Sequence, residues 1–432
     1  MSRVMNLTRG AALVVLAGAL TACEPDVDIV GTEPPSGGAM FTNYVALGNS
    51  ITAGFQSGGI NDSTQRRSYA NLFAQAAGTR FAYPQLAAPG CPPPIVSFPS
   101  GRGGPAQQPF TAETCALRSN AGVTDRLNNV AVPGALVIDP TVQSSPASNF
   151  LTTLILGGAT QVQRALEVGP TFASIWIGNN DVLGAAVRGV LVPNQQVGSP
   201  GVTPVNDFTA RYDAMLDELL AGAPDLEGAL FGVVQVQNTP ILFQVGVLLT
   251  NAQAKGAFDL ATGWNPASPN PAVNTPVTIL PNCAAAPTTL VSFALAGQIA
   301  LYRRNPTAAG AHPPIISCGV TAAFPAPVGE VFILTTDEQT ALTTTVNDYN
   351  AHIQAKANEL GWAYVDVNPR LAELRTQGAV PPFPNLASTT ATFGPYFSLD
   401  GVHPSTTAHV LIANLMIQSV NAKYNLQIPP VN

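Results

Sequence analysis

Four short, unbroken apolar runs punctuate the chain: Tyr44-Val45-Ala46-Leu47, Phe172 to Ile177, Ala229 to Val236 and Trp362 to Val367. Each ends in turn-forming or polar residues. A run of this length without polar alternation reads as a strand covered on both faces. Between the runs lie segments of helical period. In Thr344–Gly361, the residues Val346, Tyr349, Ile353, Ala357 and Leu360 recur at steps of three or four, and Gly361 supplies a C-terminal stop. A second apolar-striped segment spans Thr406–Tyr424. Buried strands alternating with amphipathic helices predict an α/β fold with a doubly wound, mostly parallel sheet flanked by helices, a flavodoxin-like three-layer arrangement. In such sheets the chemistry sits beyond the carboxyl ends of the strands.

Two stretches break the alternation. Residues 84–125 are dense in Pro and Gly, and residues 240–330 in Pro, Ala and Asn. Segments this long without periodicity are unusual inside a compact domain unless they serve a function. Both are expected as insertions near the active-site rim, the second as a cap or lid.

Composition narrows the classes of function. Of the 432 residues, 46% are hydrophobic and only 10% charged, enough apolar material for a large core. The formal net charge of −7, with no Lys/Arg-rich run, excludes a nucleic-acid binder that works by neutralising phosphates. It also makes the folded body a poor partner for anionic membrane surfaces.

The N-terminus points to export. Arg3 and Arg9 precede an apolar run from Gly10 to Ala22, too short to cross a bilayer but suited to a signal peptide over residues 1–22. The run ends in Leu20-Thr21-Ala22-Cys23, which resembles a bacterial lipobox. That resemblance implies cleavage before Cys23 and acylation of it, with residues 24–40, rich in Glu, Pro, Gly and Ser, as a tether. The expected place is then the bacterial cell envelope, with a lipid anchor as the membrane contact. The remaining cysteines, Cys91, Cys115, Cys283 and Cys318, follow an export route that permits disulfides. Three connectivities are open to them. The nearest-neighbour pairing, Cys91 with Cys115 and Cys283 with Cys318, is expected because each pair lies within one loop-rich stretch.

Four short blocks then carry candidate chemistry. Gly48-Asn49-Ser50-Ile51-Thr52 follows the first strand directly. Asn129-Val130-Ala131-Val132-Pro133-Gly134 comes next, then Gly178-Asn179-Asn180-Asp181 after the second strand, and Asp400-Gly401-Val402-His403-Pro404-Ser405 before the last helix. Singly, each could be an ordinary cap or turn. Together, in this order and each near a strand end, they resemble the blocks of the SGNH/GDSL hydrolases.

That resemblance implies an esterase or lipase with Ser50 as nucleophile, His403 as its base and Asp400 orienting the base. The Ser50 and Gly134 N–H groups and the Asn180 amide would be the oxyanion donors. The chemistry needs this set together. A serine hydroxyl is a weak nucleophile until a base takes its proton, and a carboxylate on the other ring nitrogen fixes the tautomer. The tetrahedral intermediate needs donors aimed at its oxygen. An ester is the expected substrate, and neither metal nor cofactor is called for. A chain that kept these blocks without turnover would instead bind acylated ligands.

One residue departs from the family pattern: Asn49 stands where Asp usually precedes the serine. The other histidines suggest no chemistry. His409 reads as a surface or packing residue, His352 as solvated on a polar helix face, and His312 lies in the second insertion. Asn238-Thr239-Pro240 resembles a family strand-end segment that lines the cleft. No G-x-S-x-G elbow surrounds Ser50, and no P-loop or dinucleotide fingerprint is present.

Overall fold

The computed structural model describes residues 38–98, 101–102, 126–145, 148–191, 201–320 and 331–432. The signal peptide, Cys23, most of the tether and Cys115 lie outside the described residues.

Strands form at all four expected runs, as β1 (Tyr44–Gly48), β2 (Phe172–Trp176), β3 (Glu227–Phe231) and β4 (Ala363–Val365), although β3 stops at Phe231, short of the expected end at Val236. They make one parallel sheet in the order β1-β2-β3-β4, with Tyr44 opposite Phe172, Ser174 opposite Ala229 and Ala363 opposite Ala229. Every residue of β1 and β2 is buried, which is why these strands read as unbroken apolar runs. Their side chains sort by parity. Val45, Leu47, Ala173 and Ile175 face one core, while Tyr44, Ala46, Phe172 and Trp176 face the other.

Beyond the free edge of β1 runs the segment around Asn129. The Ala46 N–H donates to the Asn128 carbonyl at 2.8 Å, and the Val130 and Val132 N–H groups donate to Ala46 and Gly48 at 3.0 and 3.1 Å. Counting this segment, sequence order in the sheet is 2-1-3-4-5. Successive crossovers therefore run in opposite directions from β1, which opens a crevice at its carboxyl end. Ser50 stands there.

Helices cover both faces. Gln161–Leu166, Val205–Gly222 and Thr336–Leu360 pack on one side, and Tyr69–Ala76 with Thr406–Tyr424 on the other. The Thr336–Leu360 helix begins eight residues before Thr344, where the periodic segment was expected to start. Thr335 caps it in a reciprocal box with Glu338, so local capping rather than hydrophobicity sets that end. His352 is not simply solvated: its Nε2 lies 2.8 Å from Asp213 on the neighbouring helix.

The second insertion is built rather than irregular. It holds helices at Ala252–Ala261 and Ala294–Arg304, and its strands Leu242–Gln244 and Leu290–Ser292 join Ile333–Leu334 in an antiparallel sheet. A disulfide closes Cys283 to Cys318 with the Cα atoms 4.9 Å apart, as expected. Cys91 is also disulfide-bonded, while Cys115 falls outside the described residues.

Candidate active site

The turn after β1 is shaped by Gly48. Its φ of +155° and its neighbours leave no room for a side chain, since a Cβ would meet the Thr52 hydroxyl and the Trp176 carbonyl, each at 2.5 Å. Buried Gln161 clamps this residue from both sides, accepting from the Gly48 N–H at 2.9 Å and donating to its carbonyl at 3.0 Å. Asn49 then caps a helix of a single turn, Ser50–Ala53, through the Ile51 N–H. So short a helix has little macrodipole. What it offers is the Ser50 N–H itself, which has no partner within the helix.

His403 reaches the serine from the far end of the chain. Its Nε2 lies 2.8 Å from Ser50 Oγ, and its Nδ1 lies 2.8 Å from Asp400 Oδ2. Asp400 is thoroughly held. Oδ1 accepts from the N–H groups of Val402 and His403 at 2.9 and 2.8 Å and from the Ser398 hydroxyl at 3.2 Å. Oδ2 also accepts from the Gly58 N–H at 2.5 Å. Burial pushes this carboxyl up, but the charge of His403 and the hydrogen bonds from His403 and Val402 outweigh it and hold Asp400 at about 2. It is therefore an anion at any ordinary pH. Phe55 packs at 4.8 Å from the imidazole and covers one side of it.

The loop that carries Asp400 is fixed from several directions. The Ser57 N–H donates to Ser398 Oγ at 2.7 Å, and the Leu399 N–H donates to Ser57 Oγ at 3.1 Å. Gly401 has φ +71°, and a Cβ there would press on the Phe393 ring at 2.7 Å. Its carbonyl accepts from the Ile241 N–H at 3.0 Å, and the Ile241 carbonyl accepts from Phe293 at 2.8 Å. These contacts correct the expectation of a lid. No residue between 240 and 320 lines the catalytic cleft. The described part of the insertion braces the back of the Asp400–His403 loop instead.

On the other side of Ser50, Asn180 shares the cleft with Ser50 and His403. Its Nδ2 donates one hydrogen to the Ala135 carbonyl at 2.9 Å, which leaves the second for a substrate oxygen. Gly134, with φ +89°, is the residue before Ala135, so the same bond ties the second and third blocks together. Gly134 itself is not part of the cleft wall. Asp181, the last residue of the third block, is structural. It accepts from the Val137 N–H at 2.9 Å and from the Thr203 hydroxyl at 2.7 Å, and burial lifts it to about 7.

The cleft has a cavity volume of about 100 Å³. Beyond the reactive groups its wall is mostly apolar, with Val234, Val367, Leu371, Leu374, Leu411 and Ile412 prominent. Thr239 lines it, as its segment was expected to. His409 lies beneath, fully buried, and accepts from the Tyr69 N–H on Nδ1 at 3.1 Å. Burial, with a smaller push from His403, lowers it to about 3, so it is a neutral packing residue. His312 is buried in the insertion and contributes nothing to the cleft. Among the described residues no group of three or more His, Cys, Asp or Glu side chains is placed to hold a metal ion.

Sequence reasoning missed Gln161, Ser57, Gly58 and Ser398. Ser398 stands two residues before Asp400, but Ser and Gln are common on any surface and carry no signal of their own. The positive φ of Ser57 is visible only in the fold.

A hydroxyl, an imidazole and a carboxylate in one hydrogen-bonded line, at the switch point of a parallel sheet, define a hydrolase of the SGNH class. The family model described as GDSL-like lipase/acylhydrolase matches residues 44–416, and the chain belongs to that family. It is an esterase or lipase. No curated protein matches the chain. Among solved structures, a protein from Parabacteroides merdae described as a GDSL-like lipase shares 12% identity, covering 88% of this chain and 96% of its own, with a TM-score of 0.34. An extracellular lipase from Streptomyces rimosus shares 14%, covering 88% and 99%, with a TM-score of 0.35. A carbohydrate esterase of family 2 from Corynascus thermopiles shares 11%, covering 88% and 66%, with a TM-score of 0.33.

Proposed function

We propose that the protein hydrolyses carboxylic esters through an acyl-enzyme on Ser50, acting on acyl lipids or acylated glycans at the bacterial cell envelope. The observation that carries this reading is the unbroken line from Asp400 through His403 to Ser50 Oγ. As Oγ bonds to the ester carbonyl carbon, His403 Nε2 takes its proton. The charge on the carbonyl oxygen is met by the N–H group of Ser50 and the free hydrogen of Asn180. Collapse breaks the carbon–oxygen bond to the alcohol, which leaves with the proton from His403. Water, deprotonated by the same imidazole, then attacks the acyl-enzyme and releases the acid and free Ser50.

The apolar wall of the cleft favours an acyl group of several carbons over acetyl, since each buried methylene contributes about 0.8 kcal/mol. Envelope placement is supported by the Leu20-Thr21-Ala22-Cys23 sequence after its apolar run. Two experiments test the reading. Purified protein should hydrolyse nitrophenyl esters, and Ser50→Ala should lower kcat by about 10⁴ or more. Equal rates for the two proteins would remove Ser50 from the chemistry. Separately, Cys23→Ala should move the protein out of the membrane fraction, and a variant that stays there has some other anchor.

A further inference from the structure

The ladder between β1 and the segment beyond its free edge is interrupted at one bond. Ala46 makes both bonds of a parallel pair with Asn129, donating to the Asn128 carbonyl and accepting from the Val130 N–H. Two residues on, Gly48 repeats only half of this. Its carbonyl accepts from the Val132 N–H at 3.1 Å. Its N–H, which the ladder would direct to the Val130 carbonyl, goes instead to Gln161 Oε1 at 2.9 Å. Gln161 Nε2 donates back to the Gly48 carbonyl at 3.0 Å. The amide stands as a wedge where the two segments would otherwise close.

The wedge is rigidly mounted. Gln161 is fully buried and opens the Gln161–Leu166 helix, which packs on β1 and is capped by Thr160 in a reciprocal box with Gln163. An amide set against both polar groups of one peptide residue fits in a single orientation, oxygen to N–H and NH₂ to carbonyl. Gly48 stands two residues before Ser50, and Val132 two residues before Gly134. The nucleophile turn and the second block therefore part at the level of the wedge. Just beyond it they are tied again, by Asn129 Nδ2 donating to the Thr52 carbonyl at 2.9 Å. Gln161 itself is not on the cleft wall, so it acts only through the backbone it holds.

We propose that Gln161 is a positioning residue for the hydrolysis. By spacing Gly48 from the second block, it aims Ser50 Oγ at His403 and the Ser50 N–H at the reacting carbonyl oxygen. The proposal rests on Ser50 being the nucleophile. A misplacement of about 1 Å at a reacting group costs about 10² in rate.

The test measures kcat and KM for nitrophenyl hexanoate from about pH 5 to about pH 9 with the wild type, Gln161→Met and Gln161→Glu. Thermal denaturation at each pH establishes where each variant is folded. Methionine fills the space without either bond, and should lower kcat by about 10² at every pH with KM little changed. Glutamate is a titratable copy of the amide. Protonated, it accepts from the Gly48 N–H and donates to the Gly48 carbonyl; ionised, it sets a charged oxygen against that carbonyl. Burial and the donated bond both favour the neutral form, so it ionises above the ordinary carboxyl range. Its kcat relative to wild type, a ratio in which the ionisation of His403 cancels, should be near one at the acid end. The ratio should fall by about 10² as pH rises, and return when the same sample is acidified. A residue that only stabilised the fold would leave both ratios near one wherever the variants are folded. A folded Gln161→Met with kcat within about threefold of wild type overturns the proposal. Should that variant not fold, a Gln161→Glu ratio indifferent to pH overturns it. Failure of the Ser50 reading looks different: Ser50→Ala would hydrolyse the ester as fast as the wild type.

Discussion

The two sides of Ser50 are built on opposite plans. On the base side every polar atom is already engaged: Asp400 accepts from Gly58, Ser398, Val402 and His403 before any substrate arrives. On the donor side a hydrogen is left open, the second one of the Asn180 amide, whose first goes to the Ala135 carbonyl. The difference follows from when each side is needed. A base must hold its geometry and tautomer throughout the cycle, so its contacts are permanent. Oxyanion donors meet a charge that exists only during reaction, so a permanent acceptor would cancel them.

The comparison can be broken at several points. Asp400→Asn places an NH₂ group against donors that the carboxylate now satisfies and upsets the imidazole tautomer. It should lower kcat by about 10⁴. Asn180→Ala removes a single donor and should cost about 10²–10³ in kcat with little change in KM. If the two losses, read from the same steady-state assay, proved equal, the two sides would not differ in the way described.

The smallest expected effect concerns stability beneath the site. His409, lowered to about 3 by burial, binds no proton in the fold at a pH where the unfolded chain does. Its contribution to stability is lost as pH falls from about 6.5 towards 3, at about 1.4 kcal/mol per pH unit. Asp181 has the opposite sign. Burial raises it to about 7, so the fold takes up a proton that the unfolded chain does not, and stability rises as pH falls from about 7 towards 4. The two slopes oppose each other between pH 4 and 6. His409→Gln keeps an acceptor for Tyr69 and removes one slope. Its urea midpoints should rise relative to wild type on acidification through that range. An unchanged slope would mean that His409 titrates normally.

The legible parts of the molecule were those encoded by short-range pattern. Continuous apolar runs marked all four strands because both faces of the sheet are covered, and the parity of Val45 and Leu47 against Tyr44 and Ala46 is lost in such a run. Ser50, Asn180, Asp400 and His403 could be found because each sits in a block whose neighbours are constrained by a turn. Gly134 was placed near the site but not on its wall. The bracing contacts were not legible. The Ile241 N–H to Gly401 and the Ser57–Ser398 exchange join residues far apart in sequence through backbone atoms or common hydroxyls, which leave no compositional trace. The insertion misled for a related reason. Its Pro and Ala content hides helices and small sheets whose apolar faces turn toward one another.

Ser50 and His403 are 353 residues apart, and both are essential to the line of groups that defines the site. While the chain is being made, Ser50 exists for almost the whole time without His403. No fragment ending before the Thr406–Tyr424 helix docks can assemble the pair on this fold, because that helix follows His403 directly and seats the loop against Tyr69–Ala76. Long-range closure of this kind comes late in folding. Activity is therefore a report on completeness: a ribosome-bound or C-terminally clipped chain can have its sheet and yet be silent toward every ester it meets.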